Sequence, residues 1–334
     1  MNQIGKKHLF PSHLVRFFVP LRQIFNQNVM TSLKQEELMK GRGYRSTIRA
    51  AYNLFADNYK IILRHSWLYA LVLAALSGFF ILNQLRAYHL EPMSANRIIV
   101  SICMMLFALI AEIIFYGRVY MLVNTQSLSW NILRALKINL WMIFYFGIAG
   151  LVFGMAGGGI GYALWGGDIQ TGTMPQANPM IALQQQMAIL KIGGMVFLAT
   201  LVVMLLMLPF VYPIMKYVVQ TDTRFHQIWF KGWKTGMRHW GYIFLTLLLT
   251  TICLSVILLI ITLPLIILMT AYNLSMQGMA QGDESGMPGY LNILAYFISV
   301  VTYFIIYIMG IFVLFVIYYI YGSIETKEQK KLER

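Results

Sequence analysis

The run at 139–164, NLWMIFYFGIAGLVFGMAGGGIGYAL, is long and apolar enough to cross a bilayer, and its second half is nearly all glycine and small residues. Comparable runs lie at about 67–84, 98–120, 189–217, 242–271 and 291–321. In lipid every backbone donor and acceptor needs an internal partner, which leaves only helices and closed barrels. These runs are continuous rather than alternating, which excludes a barrel. The expected fold class is therefore all-α: a polytopic membrane protein of six transmembrane helices. Composition agrees, because 11% charged residues is under half the roughly 25% of soluble domains.

The polar stretches between the runs organise the chain. Residues 1–43 form a basic leader, with Leu14, Phe17, Phe18, Leu21 and Phe25 at helical spacing; it reads as a cytoplasmic tail rather than a cleavable signal. The run MKGRGYRSTIRAAYNLF from Met39 also reads as a beginning, and an intact mass decides between it and Met1. The membrane domain is expected over 44–321, and a polar tail over 322–334.

An amphipathic segment precedes the first, third and fifth runs. The first is expected over 46–64, capped by Ser46, with Ile48, Tyr52, Phe55, Tyr59 and Ile62 on one stripe. The second covers 125–137, with Leu128, Ile132 and Leu136 on one face. The third covers 222–240, capped by Asp222 or Thr223, with Phe225, Ile228, Trp229 and Trp233 as its apolar side. The repeating unit is thus an amphipathic helix, a span, a loop and a returning span, giving three hairpins.

Each entry carries interfacial anchors: Arg64, His65 and Trp67; Lys137 and Trp141; Lys234, Arg238, His239 and Trp240.

The formal net charge of +14 is placed for topology rather than for nucleic acid. The leader through Arg64 holds 11 Lys and Arg, and the tail four. The loops after the third and fifth runs hold none and carry Asp168, Asp283 and Glu284. Both termini and all three amphipathic segments are therefore expected on the cytoplasmic face of a bacterial inner membrane. Anionic lipid at that face is the expected partner.

This layout resembles six-helix integral membrane proteins related to the membrane domain of glycerophosphoryl diester phosphodiesterases. The best local match is RFHQIWFKGWKTGMRHWGYIFL at 224–245, where such proteins often carry an F/W-x-x-G-W-K approach to a span. The resemblance implies a fold and a bilayer location. These membrane domains do not supply the phosphodiesterase chemistry, so no catalytic residue carries over.

Chemistry-bearing residues are few. Glu112 is the one acid well inside a run, about 9 Å of helix before Arg118, and is the candidate intramembrane ionisable site. Pairing with Arg118 or another cation, or protonation, is the structural alternative. Gly150, Gly154 and Gly158, with Gly157 and Gly161, make overlapping GxxxG spacings for close helix packing, inside the bundle or against a second copy. Pro209, Pro213 and Pro264 are expected to kink the fourth and fifth runs. Cys103 and Cys253 lie in apolar runs without metal spacing, and no His forms a ligand motif, so no metal, cofactor or catalytic set is expected. The expected role is a non-enzymatic protein that organises lipid or assists a membrane partner or export system. A transporter using Glu112 is the alternative, and a membrane-embedded lipid enzyme ranks last.

Overall fold

The computed structural model describes residues 33, 36–87, 95–165, 179–220, 224–280, 288 and 290–333. Nine α-helices follow in order among them: α1 Tyr44–Asp57, α2 Tyr59–Ala87, α3 Ala95–Tyr120, α4 Leu128–Trp165, α5 Pro179–Met207, α6 Val211–Val219, α7 Phe225–Arg238, α8 Trp240–Ala280 and α9 Tyr290–Leu332. A 3-10 turn, Leu208–Phe210, joins α5 to α6. There is no strand among the described residues.

Among the described residues six helices are long and apolar enough to cross a membrane: Tyr59–Asn83, Ile98–Tyr120, Leu128–Leu164, Leu190–Val219, Trp240–Ser275 and Tyr290–Leu332. Their most apolar windows are only 6% to 33% buried within the protein. In a water-soluble bundle these would be the buried faces, so the medium that covers them is lipid. The chain is an all-α, multi-pass membrane protein.

The entry segments differ from expectation. The first amphipathic helix ends at Asp57, not Arg64. Asn58 interrupts it, turning its Nδ2 back onto the Leu54 carbonyl at 2.9 Å, and α2 restarts at Tyr59. Ser46 lies within the first turn and donates to Gly43 O, so it is not the cap. The buried face is Thr47, Ala50, Ala51, Leu54 and Ile62, whereas Tyr52 and Tyr59 are exposed. Small residues allow close approach, while large aromatics tolerate an interface, and aromatic size misleads the stripe. The second segment is not separate either: α4 runs unbroken from Leu128, with Ser127 Oγ accepting from Trp130 N at 3.4 Å. Asp222 and Thr223, most of the N-terminal leader and most of the polar loops lie outside the described residues.

The chain divides into two compact units. The first comprises Met1–Glu37, Arg49–Leu133 and Leu254–Phe315. In it α2 packs along α3. Gly78 faces Val300 and Tyr296, where an added Cβ would come 3.0 Å from Val300 Cγ2. Hydrogen bonds cross between helices: Ser77 and Tyr307 share one of 2.8 Å, Asn83 donates to Ser101 at 3.0 Å, and Tyr272 donates to Asn292 at 3.0 Å. Such bonds help hold helices together in lipid, which offers them no hydrophobic drive. Asn124 and Asn131 exchange bonds of 2.7 and 3.0 Å and close the turn from α3 into α4.

The second unit comprises Leu38–Ile48, Arg134–Cys253 and Val316–Arg334. Here the glycine-rich half of α4 meets α5 through Gly157, whose added Cβ would lie 3.2 Å from Ala199 Cβ, and through Gly161 against Ile192. Gly150, Gly154 and Gly158 meet nothing within 4 Å. The triplet with the clearest GxxxG spacing therefore does not serve packing within the described chain; the Gly157–Gly161 pair does.

Proline acts unequally. Pro209 sits in the 3-10 turn that separates α5 from α6. Pro213 falls in the first turn of α6, where its missing N–H costs no helical bond. Pro264 lies inside α8 without ending it.

Candidate functional site

The second unit gathers its polar and aromatic side chains around α7. Phe225, Ile228, Trp229, Gly232 and Gly236 recur by three and four, so they share one face. That face packs on α6 and the 3-10 turn. The fit depends on glycine: a Cβ on Gly232 would come 2.6 Å from Pro213 Cβ, and one on Gly236 would overlap the Pro209 carbonyl oxygen. Two glycines four residues apart thus receive two prolines four residues apart.

Trp229, 2% exposed, is the centre of an aromatic cluster. Phe225, Phe210, Trp141 and Tyr145 lie at ring-centroid distances of 4.8, 5.1, 5.5 and 5.9 Å from it. Each such pair adds about 0.5–1.5 kcal/mol beyond area burial. The rest of α7 exposes Lys234 and Arg238, and Lys231 on the flank toward α6. Trp233, expected on the packed side, is 41% exposed at its margin.

Cations and acids meet beneath this helix. Lys216 Nζ lies 3.0 and 3.1 Å from the two carboxylate oxygens of Glu325, and Tyr212 donates its hydroxyl to Glu325 Oε2. Gln220 Nε2 donates to Tyr321 OH at 3.3 Å. Arg134 stacks 4.1 Å over the Tyr217 ring and donates to Gln220 O at 2.8 Å. At the end of α7, Arg238 and His239 reach Glu328 at 2.6 and 2.8 Å, joined by Lys331 at 3.2 Å. Between α6 and α7 lies a cleft of about 200 Å³ lined by Tyr212, Lys216, Gln227, Ile228, Lys231, Gly232 and Thr235.

The anchors named from sequence divide accordingly. Trp240 is tied down, its Nε1 donating to Leu205 O at 3.2 Å. Arg64, Lys137 and Lys234 are exposed, and Trp67 is 46% exposed. His65 is buried within the protein.

Glu112 lies in the first unit, half-buried on α3. Among the described residues it makes no hydrogen bond or ion pair. The expected pairing with Arg118 is absent: Arg118 is fully buried, its Nε donating to His65 O at 3.4 Å and its guanidinium 5.9 Å from the Tyr69 ring centre. Six residues of helix separate the two by about 240° of rotation, which points them to different faces. Near Glu112, a 250 Å³ pocket is lined by Leu76, Ser77, Phe80, Met104, Met105, Ala108 and Tyr303. No group of three or more metal-ligating side chains occurs among the described residues, and Cys103 and Cys253 are free and exposed.

Sequence reasoning missed Tyr212, Lys216, Glu325 and Glu328. Its available signals were two acids three residues apart in a basic tail, and the matched spacing of Gly232–Gly236 with Pro209–Pro213.

No family model matches the chain, and no curated protein or solved structure matches it.

Proposed function

We propose that this is a non-enzymatic protein of a bacterial inner membrane that organises anionic lipid, or holds a partner membrane protein, from the cytoplasmic face. The observation that carries the reading is α7: a helix fixed by its glycines and Trp229 on one face, with Lys231, Lys234 and Arg238 exposed on the rest of its surface. A rigid interfacial helix with outward cations attracts an anionic leaflet by about 1 kcal/mol per Lys or Arg near the surface. The asymmetry of Lys and Arg supports cytoplasmic termini. The layout and the run at 224–245 support kinship with the phosphodiesterase-associated membrane proteins, as part of the same proposal.

The test uses protein reconstituted in vesicles with spin-labelled phosphatidylglycerol or phosphatidylcholine. Wild-type protein is expected to immobilise the anionic lipid preferentially, and high salt to weaken that preference. Changing Arg64, Lys234 and Arg238 together to Gln is expected to reduce the preference several-fold. An unchanged preference sinks the reading.

One observation favours transport as the second reading: Glu112 makes no hydrogen bond or ion pair among the described residues and stands one helical turn from Ala108, which lines a pocket. Under the lipid-organising reading, Glu112→Gln leaves proton flux in energised vesicles at the protein-free level, as does wild type. A wild-type flux that Glu112→Gln abolishes selects transport instead.

A further inference from the structure

We infer that the cleft between α6 and α7 binds a single phosphate group, carried by a lipid headgroup or free in solution. The inference deepens the lipid-organising reading by naming the site and the chemistry it takes.

Two short stripes face each other across the cleft. Tyr212 and Lys216 stand one turn apart on α6; Gln227, Lys231 and Thr235 stand at successive turns on α7. Ile228 and Gly232 complete the lining, and Gly232 packs so closely on Pro213 that no side chain fits there. A volume of about 200 Å³ is below the roughly 300 Å³ at which drug-sized pockets begin, so the cleft suits a headgroup rather than a large metabolite.

Charge and donors agree. Lys216 and Lys231 place two ammonium groups on the lining, and lysine serves phosphate as a point charge. Glu325 is not a lining residue; it grips Lys216 at 3.0 Å and orients its ammonium, leaving one net positive charge for the ligand. Lys231 and Gln227 are exposed and have no side-chain partner among the described residues. The Thr235 hydroxyl already contacts Lys231 O at 3.3 Å and offers its lone pairs or a rotated O–H to an incoming group. Phosphate, with several acceptor oxygens and negative charge, complements this set; in phosphatidylcholine the attached quaternary ammonium cancels that charge and would be brought against the cleft's lysines.

The experiment is isothermal titration calorimetry of the full chain in uncharged detergent micelles. Separate arms use dihexanoyl phosphatidylglycerol, dihexanoyl phosphatidylcholine and inorganic phosphate. Saturable binding is expected for phosphatidylglycerol, phosphate or both, and none for phosphatidylcholine. Lys231→Glu and Gln227→Glu are each expected to weaken it at least about tenfold, since each replaces a donor with a like charge. Lys330→Glu makes the same charge change at an exposed position near the end of α9, outside the cleft lining, and is expected to stay within about twofold. Binding of phosphatidylglycerol alone assigns a headgroup, and binding of inorganic phosphate with the same variant pattern assigns a free phosphate ligand.

Absence of saturable binding, equal binding of phosphatidylcholine, or equal weakening by Lys330→Glu and Lys231→Glu overturns the inference. The spin-label preference separates this failure from that of the broader reading: a preference that persists with a silent calorimeter removes the cleft alone. A missing preference removes the broader reading and leaves the phosphate arm to decide the site.

Discussion

Gly236→Ala is expected to lower stability by about 3 kcal/mol, the upper end of the usual cost of overpacking. In an exposed helix the same change would gain up to about 1 kcal/mol from propensity, so the expected sign is reversed by contact alone. The new methyl group overlaps the Pro209 carbonyl oxygen, a backbone atom held in a 3-10 turn that has no rotamer to change. Gly232→Ala meets the Pro213 ring, which is equally rigid. Because both glycines serve one contact, the double variant is expected to cost less than the sum of the singles. Gly147→Ala, with nothing within 4 Å, is the control and is expected to be neutral or slightly stabilising. Thermal unfolding in one detergent ranks them, and a Gly236→Ala protein as stable as Gly147→Ala would falsify the close approach of α7 to the proline turn.

Glu325→Ala carries the second large effect. It leaves the Lys216 ammonium, whose side chain is 24% exposed, without its carboxylate, and removes the acceptor of the Tyr212 hydroxyl. Breaking a fully buried pair costs about 3–5 kcal/mol; partial solvent access at Lys216 reduces the expectation to about 2–3 kcal/mol. Removing both charges together, as Lys216→Met with Glu325→Leu, is expected to recover most of the loss, because no buried charge is then stranded. The double-mutant cycle measures this directly. Strict additivity of the two single losses contradicts a mutual pair.

The six spans are legible from sequence because each is a property of one contiguous window: enough apolar residues to match the bilayer. The α6–α7 site is not of that kind. Lys216 and Glu325 meet across more than a hundred residues, and nothing local to either one signals the other. Glu325 and Glu328 read as ordinary acids of a solvated tail, yet α9 continues to Leu332 and carries both to Lys216 and His239. The run at 224–245 was visible as an amphipathic approach, but its glycines read as part of a motif rather than as the surface that admits proline. Large residues also attract attention that packing does not reward: Tyr52 and Tyr59 stay exposed, while Ala50 and Ala51 are buried. Glu112 was found from depth alone. Its separation from Arg118 follows from helical rotation, which the linear spacing already contained.

The bare face of α4 at Gly150, Gly154 and Gly158 has a consequence for whatever surrounds it. A bilayer leaves no vacuum, so the volume that three side chains would occupy is taken up by the neighbour, whether an acyl chain or another helix. That neighbour reaches the Cα hydrogens and the peptide planes themselves, several ångströms nearer the helix axis than lipid comes beside Leu151 or Met155. The circumference of this span is therefore uneven, shallow on one side and deep on the other, and the fluid around it is moulded to that furrow.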